Sequence, residues 1–354
     1  TEMLPASYGS REKGRATKGA AYALKSRVEL YDKRYEDVIK SCAEVYKLGY
    51  ELVDGTTPEK YRSIWWTTNK DNKEIIFDVQ YKSPDVYNNM MVCNMVTYIN
   101  DKYGDRGWGG LGPTQELIDA FEMADGTPAT QYSQAPADQV FDINTCGIYE
   151  GREPRFYANI VFHGSQIFFN ADKGAVTVDR YLMDTPDKGD GSLTGYNVWK
   201  WIDYDNYNYP YAGAGSPDFS TNWIILRYAE IYLNDAEARL ETGDVEGARK
   251  AVNMIRQRVG LPDLTESDPE KLRELIRKER RIEFAFEEQR FYDVRRWKIG
   301  PETQTTLHGV RFVSPTEFKV TKTDIRTWND RLYLTPVPHD EIVRSSVLKQ
   351  NPGY

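Results

Sequence analysis

Histidine and cysteine are scarce, with three of each among 354 residues. His163, His308 and His339 stand far apart, and no H-E-x-x-H pairing sets two imidazoles on one helical face, so histidine-based metal catalysis has no support. Cys42, Cys93 and Cys146 are an odd set at wide spacing, which fits neither a disulfide framework nor a zinc site; they read as small buried apolar residues. An excess of positive charge is also missing. A formal net charge of -8 leaves the counterion-release drive of nucleic-acid binding little to work with, which excludes nucleic acid as the expected partner. No stretch reaches membrane-spanning length. Thr1 to Pro5 has neither the apolar core of a signal peptide nor a lipid-attachment cysteine beside it.

Aromatic residues are abundant. They make up 13% of the chain, with 25 Tyr and 8 Trp, and they concentrate in segments that otherwise read as polar loops. Rings with an apolar body and a polar tip suggest a binding surface. At 40% hydrophobic and 28% charged, the chain has material for one large core or two modest ones.

The periodicity is helical at both ends. Ala16, Ala20, Leu24, Val28 and Tyr31 recur at three- and four-residue steps, Asp32 to Arg34 turns, and Tyr35, Val38, Ile39, Cys42, Ala43 and Tyr46 repeat the period up to Gly49. A second hairpin follows near the end. Leu226, Ala229, Leu233, Ala236 and Leu240 form one face, Thr242-Gly243-Asp244 turns, and Ala248, Val252, Ile255 and Val259 form the other. Such units resemble tetratricopeptide hairpins, which cannot bury their apolar faces without a neighbour. Asp268-Pro269 opens a further helix with an acidic N-cap and proline at the first position. Its charge run, Arg277 to Arg281 and Glu283, reads as a solvated face.

Four regions follow from this pattern: a helical hairpin over 1–55, a loop-rich insertion over 56–222, a second hairpin plus long helix over 223–300, and an extended tail over 301–354. The insertion carries β-like runs at Glu74–Val79 and Phe156–Phe162 and one helix capped by Thr114, with Gly126 past its end. In the tail, Pro336 and Pro338 exclude a helix over Arg331–Pro338. The fold class expected is mainly α, tetratricopeptide-like hairpins with a long insertion holding a few short strands.

Several motifs agree in order with one family: Pro113-Thr114-Gln115-Glu116-Leu117, Pro154-Arg155-Phe156-Tyr157-Ala158, Gly195-Tyr196 with Lys200, Arg227-Tyr228-Ala229-Glu230, Ile276-Arg277-Lys278-Glu279-Arg280-Arg281 and the closing Gln350-Asn351-Pro352-Gly353-Tyr354. The chain resembles the SusD/RagB family, surface lipoproteins that bind nutrients for Bacteroidetes-type glycan uptake. The resemblance implies an α-α superhelix, oligosaccharide or polysaccharide binding without catalysis, and delivery to a SusC-like TonB-dependent transporter. It places the full-length protein on the outer membrane at the cell surface, held by a lipid anchor that this sequence lacks. It further implies an N-terminal part ahead of the hairpins. The RagB branch binds peptides instead, which is the alternative.

Sugars present C–H faces to aromatic rings and hydroxyls to planar donors and acceptors. Two segments supply both: Tyr98 to Trp108, contributing Tyr103, Arg106 and Trp108, and Trp199 to Tyr211, contributing Trp199, Trp201, Tyr204, Asn206, Tyr207 and Tyr209. These are the candidate ligand residues. Trp65 and Trp66 are weaker candidates, since their neighbours Ile64 and Thr67 suggest packing. No catalytic residue is assigned; a glycoside hydrolase with paired carboxylates is the reading from another class, as is a helical scaffold for protein partners. Gly107 to Gly112 has G-x-G-x-x-G spacing, but no apolar strand leads into it. No cofactor is expected beyond calcium at Asp184, Asp187 and Asp190 or at Asp203 and Asp205, and the first set misses EF-hand spacing.

Overall fold

The computed structural model describes residues 3–82, 85, 86, 94, 109–168, 175–183, 192–203, 220–345 and 347–354. Seven helices frame the site: Lys18–Tyr31 (α1), Tyr35–Tyr46 (α2), Pro154–Asn159 (α3), Tyr228–Glu241 (α4), Val245–Arg258 (α5), Pro269–Glu283 (α6) and Gln289–Arg296 (α7). Their ends obey local chemistry. Thr17 caps α1 by accepting from the Ala20 amide, Asp244 caps α5 through the Gly247 amide, and Asp268 caps α6 through Glu270 and Lys271, with Pro269 at the first position. Gly243 (φ 87°) ends the first helix of the second hairpin in the left-handed conformation that a side chain would strain.

The two hairpins stack on each other across the long insertion. α2 lies against α4, where the Cys42 thiol donates to the Ile231 carbonyl at 3.5 Å and the Tyr46 hydroxyl donates to Asp235 at 3.1 Å. Ala20, Ala23, Leu30, Val38, Cys42 and Val45 share a core with Leu226, Ile231 and Ala238. A second core joins Leu233, Ala236 and Leu240 to Val252 and Ile255 and to Leu272 and Ile276, which brings α6 onto the stack. Each buried aliphatic side chain adds about 1.5–3 kcal/mol. The fold is mainly α and tetratricopeptide-like, as the periodicity indicated.

Among the described residues, nine strands run in chain order as Ile75–Val79 (β1), Val140–Asp142 (β2), Ile160–Val161 (β3), Gln166–Phe168 (β4), Ala175–Thr177 (β5), Asn197–Val198 (β6), Trp223–Arg227 (β7), Thr305–Phe312 (β8) and Glu317–Arg326 (β9). They pair as β1-β7, β2-β9-β8, β3-β6 and β4-β5, with every pairing antiparallel. No helix among the described residues is long and apolar enough to cross a membrane.

Five expectations change. The face of α1 is rotated, so that Leu24 and Val28 are exposed while Ser26 and Glu29 are buried; Asn234 donates to Ser26 and Ser41 donates to Glu29 at 2.6 Å, and these bonds offset burial of the polar groups. Leu226 belongs to a strand, because β7 holds the chain extended up to Arg227 and the helix starts one residue later. Phe156 to Asn159 is helical, since Pro154 at the first helical position outweighs the strand-like composition and only Ile160–Val161 is paired. The helix after Thr114 is a single turn, Gln115–Ile118, ending well before Gly126. The tail is more structured than expected, with the β8-β9 hairpin, a 3₁₀ turn at Asp330–Tyr333 and a short helix at His339–Arg344.

Candidate functional site

The largest departure concerns the charge run of α6. Glu279, Arg280 and Glu283 are buried; Arg280 pairs with Asp293, while Glu279 and Glu283 belong to an ion-pair network that joins α6 to α3, α5 and the end of β7. Arg155 on α3 meets Glu153 at 2.6 Å, Glu279 at 2.5 Å and Glu283 at 3.0 Å. Arg227, at the end of β7, meets Glu74 at 2.9 Å, Glu283 at 2.5 Å and Glu287 at 2.7 Å, and Arg258 adds Glu74 at 3.1 Å and Glu283. Arg256 joins Glu279 to Glu122. The motif residues Arg155, Lys200, Arg227 and Glu279 therefore form one electrostatic unit.

Charges this deep survive only when paired and hydrogen-bonded. Burial alone would raise the Glu283 carboxyl, but Arg258, Arg227 and Arg155 outweigh it and hold it well below the usual carboxylate range. Burial pulls the Lys200 amine down to about 8, against the opposing pull of Glu287 at 2.6 Å.

This network fixes the roots of the aromatic segments. In the β1-β7 pair Val79 lies opposite Trp223, so the chain leaving β1 toward residues 87–108 and the chain entering β7 from residues 204–219 stand at one end of the same two-stranded sheet. Asn222 ties them, accepting from the Tyr81 amide at 3.1 Å and donating to Asp78 at 2.6 Å. On the far side of 204–219, buried Asp203 accepts from both the amide and the hydroxyl of Thr67, at 2.9 and 3.0 Å. The other root of 87–108 reaches Gly112, where a Cβ would sit 2.6 Å from the hydroxyl of Thr194, just beyond 184–191. Three segments are thus rooted pairwise side by side.

Of the candidate ligand residues, Tyr103, Arg106, Trp108, Tyr204, Asn206, Tyr207 and Tyr209 lie outside the described residues, as do Cys93, Asp184, Asp187, Asp190 and Asp205. Trp199 and Trp201 are corrected to core positions, 6% and 3% exposed. The Trp199 amide donates to the Asn159 carbonyl at 2.8 Å, directly after the β3-β6 pairing, and this turns both rings inward. Arg62 then covers the Trp199 ring at 4.2 Å, while the Trp201 indole donates to the Phe286 carbonyl at 3.1 Å and its ring meets Trp223 edge-on. Neither ring is a stacking platform. Trp65 packs as expected, under Lys200 at 5.0 Å.

Sequence reasoning missed Asp203, Asn222 and Thr67 as loop anchors. The signal was present in small polar residues flanking a Gly-, Asn- and Tyr-rich stretch. A shallow concavity on the first hairpin, lined by Lys18, Tyr22, Lys25, Lys40, Ser41 and Glu44, includes none of the candidate residues.

The helical stack and the β1-β7 pair thus hold the residues flanking both aromatic segments beside one another. Residues 73–354 match the model of the SusD family, and the chain belongs to that family. It is 99% identical to a SusD-like protein of Bacteroides fragilis NCTC 9343 and superimposes on its crystal structure with a TM-score of 0.95, over 100% of this chain and 68% of that one. A surface glycan-binding protein A from Bacteroides fluxus is 26% identical, with a TM-score of 0.65 over 99% of this chain and 65% of that one. SusD-like protein P2 of Formosa agariphila is 38% identical over 155 residues, 40% of this chain. The chain spans 28% of that relative's length.

Proposed function

We propose that this protein binds an oligosaccharide or polysaccharide at the cell surface, does not cleave it, and hands it to a SusC-like TonB-dependent transporter in the outer membrane. The observation that carries the reading is the shared rooting of 87–108 and 204–219 at one end of the β1-β7 pair, since these segments hold Tyr103, Arg106, Trp108, Tyr204, Asn206, Tyr207 and Tyr209. Rings stack on sugar faces, and Arg106 and Asn206 supply planar hydrogen-bonding groups for hydroxyls. Membership of the SusD family and the glycan-binding description of the Bacteroides fluxus relative support the ligand class. No cofactor enters this reading.

The test is calorimetry against a panel of glycans and peptides, with Trp108→Ala and Tyr207→Ala beside the parent chain. Stacking of a nucleobase on one aromatic ring is worth about 1–3 kcal/mol, and with a sugar face taken as comparable each substitution is expected to weaken glycan binding by roughly 5- to 150-fold. Unchanged affinity in both variants removes these residues from the site, and a ligand found only among the peptides replaces the carbohydrate reading. Incubation with the bound glycan is expected to leave its length unchanged.

A further inference from the structure

His163-Gly164-Ser165 turns the chain between β3 and β4, with the Ser165 hydroxyl accepting from the Phe162 amide at 3.0 Å. The turn continues the ladder of the β4-β5 hairpin. The Val178 amide donates to the Ser165 carbonyl at 2.9 Å, and the Gly164 amide donates to the Val178 carbonyl at 2.8 Å. One step further the bonding passes to a side chain, where Nδ1 of His163 accepts from the Arg180 amide at 3.1 Å. A backbone amide can only donate, so Nδ1 carries no proton and the neutral ring holds its proton on Nε2.

The surroundings hold the ring in place. The imidazole lies nearly parallel to the ring of Phe312 on β8, with centroids 4.1 Å apart and planes at 21°. Among the described residues the charged groups facing it are Asp179 and Arg180. The Asp179 carboxylate stands 3.9 Å from Nδ1 and is already engaged, since its Oδ1 accepts from the Tyr181 amide at 3.0 Å and the Leu182 amide at 3.3 Å at the start of the helical turn Arg180–Met183. The Arg180 guanidinium donates to Asn197 on β6. Burial pulls the imidazole below its ordinary 6.5, while Asp179 opposes that pull and Arg180 adds to it.

We propose that His163 is a pH-sensitive clasp, which holds the turn Arg180–Met183 closed when neutral and releases it when protonated. A proton on Nδ1 sets one donor against another, so the bond from the Arg180 amide is lost. The acceptor beside the imidazolium is Asp179, and movement of that carboxylate toward the ring draws it off the Tyr181 and Leu182 amides. One proton therefore acts on three hydrogen bonds. Because the folded value lies below the ordinary one, the stability of the closed turn is fully present above about 6.5 and is lost as pH falls toward the folded value. Glu283, held well below the carboxylate range, stays charged across this window, so the helical stack remains folded while the turn opens.

Hydrogen exchange of the 354-residue chain at pH 7.5 and pH 5.0, corrected for intrinsic amide rates, tests it. Protection of a peptide covering Val178–Met183 is expected to fall more than twofold at the lower pH, up to a ceiling of roughly thirtyfold set by the ordinary 6.5 of a solvated imidazole, while α4 keeps its protection. His163→Asn puts an amide oxygen in place of Nδ1 and cannot be protonated, so it is expected to keep the parent's pH 7.5 protection at both pH values. A parent change below twofold, or the same change in the variant, overturns the proposal. Nitrogen NMR of histidine-labelled protein, with three histidines to assign, reads the ring whether or not the variant folds. An unprotonated Nδ1 at pH 7.5 and a titration midpoint below 6.5 are expected; a protonated Nδ1 at pH 7.5, or a midpoint at or above 6.5, overturns it.

Discussion

Arg155 and Glu283, 128 residues apart in the chain, meet at 3.0 Å with both side chains fully buried. One belongs to the insertion and the other to the last turn of α6, so this bond fastens the loop-bearing part of the molecule to the helical stack. Removing one partner leaves the other charge in a site without water. Glu283→Ala exposes Arg155, Arg227 and Arg258 to that penalty together and is expected to cost about 3–5 kcal/mol or more. Urea unfolding of the variant checks it; a loss close to that of an exposed ion pair such as Lys73–Glu51 contradicts a connected network.

The same carboxylate gives the protein an acid limit. Its folded value lies well below the ordinary 4.5, so its contribution is fully present above about 4.5 and is lost as pH falls through the folded value. Glu122 and Glu237 are shifted in the same direction, against their burial, by the arginines and the lysine beside them. The Tm is expected to fall steadily below pH 4.5, and Glu283→Gln is expected to flatten that fall. Lys200 has the same sign in a higher window: it is lowered to about 8, so the cost of burying its charge is relieved and stability rises as pH climbs through about 8 toward 10.5.

Trp201→Ala separates packing from recognition. With its ring 3% exposed, the substitution is expected to cost about 3–5 kcal/mol of stability while ligand affinity of the folded fraction stays within twofold. A large affinity change at unchanged stability returns Trp201 to the site. Chemical denaturation and calorimetry on one preparation read both.

Gly195 has a left-handed backbone, φ 75°, and a Cβ there would lie 2.4 Å from the carbonyl oxygen of Val310 on β8. Backbone strain alone is about 1–3 kcal/mol, and the clash adds to it because the obstacle is main chain. Gly195→Ala is expected to lower the Tm by several degrees, measured by thermal scanning; an unchanged Tm shows that β8 gives way.

The hairpins were legible because their signal is local. Ala20, Val38, Cys42, Leu233, Ala236, Val252 and Ile255 keep a helical period within short windows, and all of them are buried. The charge run at Arg277 to Glu283 misled for the opposite reason. Whether Glu279 faces water or Arg155 depends on a residue 124 positions away, and no window on α6 contains that fact. Trp199 and Trp201 failed similarly: aromatic density marks rings that need burial as well as rings that offer a surface, and pairing with β3 decided between the two. The β8-β9 hairpin had a signal in the alternation of Phe318 and Val320 with Lys319 and Thr321, which a reading attentive to prolines passed over.

The ties made by Asp203 to Thr67 and by Asn222 to Tyr81 lie at the feet of 204–219 and use nothing from within it. Loop-closure entropy grows slowly with length, each doubling costing about 0.6 kcal/mol, so a change in the number of residues between these two ties costs little closure entropy. Relatives of this chain can therefore differ in the number of residues between the two ties while keeping the ties themselves.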